Sequence, residues 1–100
     1  MWRPKNVPQK RGPMTAEAAL ELGARALLYL AQDEQRLARF LGETGLDPAT
    51  LQSEARSPHM MSAVLAHMLG DESMLLVFTA EAGIDPVEVT RAQMILEGEA

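Results

Sequence analysis

The chain has no cysteine among its 100 residues, which removes disulfides and thiolate metal sites and suits a reducing compartment. No apolar run reaches membrane-spanning length, and the first strong apolar segment is interrupted by Glu21 and Arg25. Neither a transmembrane helix nor a secretory signal is expected, and the expected setting is the cytoplasm. There is no phosphate-cradling glycine loop, no Walker motif and no nucleophile elbow. His59 and His67 lie eight residues apart on one predicted helix. That is about 12 Å along its axis, too far to ligate one metal. No cofactor or metal is expected, and an enzyme is the class these residues support least.

Acids are missing from the first 14 residues, which hold Arg3, Lys5, Lys10 and Arg11. Pro4, Pro8 and Pro13 oppose a regular helix there, so residues 1–14 read as a flexible basic N-terminal arm. Residues 15–100 hold fourteen acids against five bases, a balance of −9, and read as a single all-helical domain. Trp2, Arg3, Lys5, Lys10 and Arg11 could form a weak nucleic-acid or anionic-surface binder, with Trp2 stacking on a base. Leu37 to Ala55 has the outline of a helix-turn-helix. Its candidate recognition segment, Pro48 to Ala55, carries only Glu54 among charged residues, where phosphate neutralisation needs the opposite sign. Nucleic acid is disfavoured as a partner of the body.

What the chain does have is a repeat. Asp33–Arg56 and Asp71–Met94 align without a gap at an offset of 38 residues, with eight identities in 24 positions. At the centre of each copy stand a helix stop and a helix start, Gly45-Leu46-Asp47-Pro48 and Gly83-Ile84-Asp85-Pro86. Glycine can close the last turn in the left-handed conformation, Asp accepts from free N–H groups of the next helix, and Pro suits the first helical position. Leu46 and Ile84 are placed to pack on both flanking helices.

The spacing predicts six short helices, an all-α compact bundle built as two similar three-helix halves. The first follows Thr15, with Leu20, Ala24, Leu27, Leu28 and Ala31 as its inner stripe. The second follows Asp33, with Leu37, Phe40 and Leu41 inward and Arg36, Arg39 and Glu43 toward water. The third runs from Pro48 to about Ala55, anchored by Leu51. The fourth follows Ser57, with Met61, Val64, Leu65, Met68 and Leu69 inward. The fifth follows Asp71, and the sixth runs from Pro86 to about Leu96, with Asp85 and Glu88 spaced for a capping box. His67 reads as a solvated helix-end histidine within reach of Asp71, and Glu43 and Glu81 as surface acids.

The fifth helix reads Met74-Leu75-Leu76-Val77-Phe78, apolar nearly all round, which predicts a central, buried element. The alternative is an exposed face at Met74 and Val77, with Met60 and Met61 nearby, covered by an unknown protein partner or by self-association. On that basis the chain reads as a non-enzymatic protein-interaction module.

One resemblance supports the fold. The order Ala26-Leu27-Leu28-Tyr29-Leu30-Ala31, Asp33-Glu34, Leu37-Ala38-Arg39-Phe40-Leu41, Thr44-Gly45-Leu46-Asp47-Pro48, Leu51, Ala63-Val64-Leu65, Asp71-Glu72, Leu75-Leu76, Phe78 and Gly83 resembles a bacterial domain-of-unknown-function family of small helical proteins. It covers roughly residues 16 to 96, and implies a helical fold and a cytoplasmic setting, without an activity.

Overall fold

Short polar side chains start every helix of this protein. In the computed structural model, which describes residues 14–99, the helices are α1 (Ala16–Ala31), α2 (Glu34–Thr44), α3 (Pro48–Ser53), α4 (Pro58–Leu69), α5 (Glu72–Ala82) and α6 (Pro86–Glu99). The arm positions Trp2, Arg3, Lys5, Lys10 and Arg11 lie outside the described residues. Thr15, Asp33, Asp47, Ser57 and Asp71 are extended caps whose side-chain oxygens accept from the first turn. Asp85 accepts from the Val87 N–H at 3.0 Å. The expected capping box does not close, because the Glu88 carboxylate turns to Arg91, 3.7 Å away.

The two glycine corners are both left-handed, with φ 74° at Gly45 and 72° at Gly83. Their hydrogen bonds differ. After α5 the Ile84 N–H reaches back to the Thr79 carbonyl at 3.0 Å, whereas after α2 the Gly45 N–H meets the Leu41 carbonyl at 2.9 Å. A Cβ at Gly83 would meet no neighbour within 4 Å, so only the backbone constrains this position. Gly83→Val should therefore cost more than about 1 kcal/mol through the strain of a β-branched residue at positive φ. A melting temperature equal to that of the parent would contradict this.

The core lies between α1, α4 and α6, which pack most closely on one another. From α4 it takes Met60, Met61, Val64, Leu65 and Met68, and from α6 Val89, Ala92 and Leu96. The fourth helix, not the fifth, is thus the central one. The segment Pro58–Leu69 contains no Asp, Glu, Lys or Arg, so it can be enclosed with no charge to desolvate. On α5 the only buried residues are Phe78 and Thr79, while Leu76 and Val77 are half exposed.

The inner face of α1 is also rotated from its expected stripe. Ala19, Leu22, Gly23, Ala26 and Leu30 are buried, whereas Leu28 is 60% exposed and Ala31 is exposed. Small residues take the crossing because α4 comes very close. A Cβ added at Gly23 would lie 2.8 Å from the Met61 Cβ. The third helix stops at Ser53, where Pro58 and its extended cap Ser57 already impose the next start. The sixth continues past Leu96 to Glu99.

Among the described residues there is no strand, and no single helix is long and apolar enough to cross a membrane.

Candidate functional site

Two surface features come from packing these helices. The first is the outer side of α5. At 100° per residue, Ser73, Leu76, Val77 and Ala80 share one side of the helix, opposite Phe78 and Thr79. All four are exposed, Leu76 by 49% and Val77 by 48%, and none carries charge. Glu72 and Glu81 flank this strip. Beside it, Leu28 and Tyr29 of α1 and Phe78, Glu81 and Ala82 of α5 border a shallow groove of about 170 Å³. Tyr29 packs obliquely on Phe78 with ring centres 5.5 Å apart, and Arg25 ties the two helices by donating to the Ala82 carbonyl at 3.2 Å.

Of the four residues expected at a partner face, Val77 is on the strip. Met74 is half-buried and turned toward α2, lining a small pocket with Asp33, Arg36, Arg39 and His67. Met60 and Met61 are buried in the core and form no surface, Met61 against Gly23 of α1. Leu28 was missed as a surface residue. Its apolarity suggested core, although the uninterrupted apolar run around it leaves more leucines than one face can bury.

The second feature joins α2 to α4. His67 is not a solvated helix-end residue, since its side chain is only 7% exposed, and its Nδ1 lies 3.2 Å from Glu43 Oε1 rather than at Asp71. The ring meets Phe40 edge-on at 5.1 Å. The Glu43 carboxylate faces Nδ1, and Nε2 on the other side of the ring is buried without a partner. Arg39 completes the cluster, 3.6 Å from Glu43 and 3.8 Å from Asp71. Arg36, expected in water, lies 3.9 Å over the Tyr29 ring and donates to the Tyr29 carbonyl at 2.6 Å.

A histidine oriented by a carboxylate resembles part of a proton-transfer pair. Here the nitrogen that would react is sealed, so it offers nothing to a solvent-borne substrate. A cleft of about 820 Å³ lies between α1 and the α5–α6 corner and holds Glu21, Arg25, Asp85, Glu88 and Arg91. Its two cations are engaged, Arg25 with Ala82 and Arg91 with Glu88. No group of three or more metal-ligating side chains gathers among the described residues.

One carboxyl is displaced from its ordinary value, and it lies at a helix corner. The backbone N–H of Thr50, 2.8 Å from Asp47 Oδ1, followed by the Thr50 side chain, holds Asp47 below 3.8. Because the folded state lowers this value, the cap stabilises fully above 3.8 and loses that effect as the pH falls through the lower folded value. The gap in melting temperature between Asp47→Ala and its parent should thus be constant near neutrality and close in acid. A gap independent of pH would contradict the cap.

The model of the family described as Protein of unknown function (DUF3572) matches residues 16–99. The chain belongs to the DUF3572 family. The match spans all six helices of this DUF3572 protein and starts after the basic arm. No curated protein and no solved structure matches the chain.

Proposed function

We propose that this DUF3572 protein is a non-enzymatic interaction module whose contact face is the outer side of α5 with the neighbouring Leu28. The observation that carries this reading is the half-exposure of Leu76 and Val77 on an uncharged strip. Removing such side chains from water is favourable by roughly 25 cal/mol per Å², which a docked partner would gain. The sealed His67 Nε2 and the engaged cations of the cleft between α1 and the α5–α6 corner favour binding over chemistry. The cysteine-free composition favours a cytoplasmic setting.

Site-specific photo-crosslinking tests the reading. A photoreactive residue at Val77 should form protein adducts in the expressing cell that one at the exposed Glu17 does not, and Leu76→Asp should abolish them. Equal labelling from both positions would end the proposal.

The acid-free composition of residues 1–14 supports a second reading, a weak nucleic-acid or anionic-surface binder through Trp2, Arg3, Lys5, Lys10 and Arg11. Titration with random duplex DNA at two salt concentrations tests it. Binding should weaken with salt and vanish on deletion of residues 1–13.

We also infer that the six helices derive from a copied three-helix unit. Support comes from helix boundaries at the offset of 38: α2 and α5 start at Glu34 and Glu72 and stop at Thr44 and Ala82, and α3 and α6 start at Pro48 and Pro86. Superposition of residues 33–56 on 71–94 in experimental coordinates is the test. A fit no better than that of unrelated helix pairs would end the idea.

A further inference from the structure

The α5 strip discriminates between kinds of occupant by the charges at its ends. It runs between Glu72 and Glu81, and α5 contains no Lys or Arg. Arg39 is paired with Glu43 and Asp71, while Arg25, which donates to the Ala82 carbonyl, keeps its charge at the groove end beside Glu81 and leaves the Glu72 end without a base. From this we infer that the occupant is an amphipathic helix of another protein, with Lys or Arg beside its apolar stripe, and not a second copy of this chain. The inference rests on the interaction reading above and adds the partner's chemistry.

The case against a second copy follows from symmetry. A two-fold dimer joins the same patch of both chains. An antiparallel α5 pair brings Glu72 of each copy to the same end of the interface as Glu81 of the other. A parallel pair gathers the two Glu72 side chains at one end and the two Glu81 side chains at the other. In either sense each end of the pair carries one carboxylate on each flank and no base from α5. The bodies add to this, with fourteen acids against five bases over residues 15–100. Like charges that meet at an interface select against that pairing.

The same pattern fits a basic helix. Glu72 and Glu81 are nine residues apart, about 13.5 Å along α5. A partner helix laid along the strip meets them with cations at a similar spacing, its apolar residues resting on Leu76 and Val77 and one of them entering the groove beside Leu28. Helices recognised in this way use anchors at three- and four-residue spacing.

Two synthetic 18-residue helical peptides with one leucine stripe test this, one flanked by lysines and the other by glutamates, titrated into the isotope-labelled full chain and followed by backbone NMR. The lysine peptide should bind at least ten-fold tighter, shifting Leu28 and residues 72–81. The double change Leu76→Ser and Val77→Ser should weaken it at least ten-fold while the unfolding midpoint stays in place. Changing Glu72 and Glu81 to Gln should remove the preference between the peptides. Equal affinity for the two peptides would overturn the charge inference and leave the interaction reading standing. Lysine-peptide shifts spread to Glu97 and Glu99, unaffected by the serine changes, would mean charge attraction without a strip and overturn the inference. If neither peptide binds, the inference falls. Crosslinking from Val77 then decides the reading beneath it, adducts specific to that position keeping the α5 face as a contact surface and labelling equal to that from Glu17 removing it.

Discussion

Phe40→Ala should lower the unfolding free energy by about 3–5 kcal/mol, the usual cost of deleting a fully buried aromatic side chain. Phe40 is the only buried residue of α2, and its ring also supports the buried His67 edge-on. Its loss opens a cavity and removes the main apolar tie of α2 to the core. Against a typical total of about 5–15 kcal/mol, that is enough to leave the fold marginal. Leu76→Ala, on the exposed side of α5, should stay within about 0.5 kcal/mol. Urea denaturation of both variants gives the comparison. Similar midpoints would show that the core has been misplaced.

Gly23→Val should destabilise by about 1–3 kcal/mol or more, despite replacing a poor helix former. The cause is the α1–α4 crossing, where an added Cβ would stand 2.8 Å from the Met61 Cβ and 2.9 Å from its Sδ. Both helices must separate to admit a side chain. Trimming the opposite residue by Met61→Ala removes the sulfur and leaves the Cβ, so it should rescue only part of the loss. Denaturation of the two single variants and the double variant tests this. A Gly23→Val protein as stable as its parent would mean that the crossing is looser than described.

These two positions also mark what could be read from the sequence. Helix starts at Asp33, Asp47, Ser57 and Asp71 and stops at Gly45 and Gly83 were legible, because caps and left-handed glycines act on their own immediate neighbours. The facing of α1 was not. Its leucines and alanines lie on several sides, so a stripe through Leu20, Ala24, Leu27, Leu28 and Ala31 reads as well as the buried one through Ala19, Leu22, Gly23, Ala26 and Leu30, and the close approach of Met61 that selects Gly23 is a long-range contact.

The depth of α5 was misjudged for a related reason. An apolar composition says how much a helix could bury, while the position of its charges says which sides must stay at the surface. Glu72 and Glu81 keep α5 at the margin, whereas α4, free of Asp, Glu, Lys and Arg, goes to the centre. That absence was the available signal. The exposed strip at Val77 was legible as the second option, and Met60 and Met61 were assigned to it because flexible methionines suit both a surface and a core. The His67–Glu43 contact joins residues 24 apart, and nothing local to either one announces it.

The way α2 and α3 are attached has a dynamic consequence. Each offers one buried anchor, Phe40 and Leu51, and left-handed Gly45 lies in the corner between them. Such a limb can detach while α1, α4 and α6 stay assembled, at the cost of uncovering Phe40 and Leu51, which is less than the cost of unfolding the whole core. Proteases should nick residues 34–53 well before the molecule melts, and the same transient opening would bring the imidazole of His67 into contact with water.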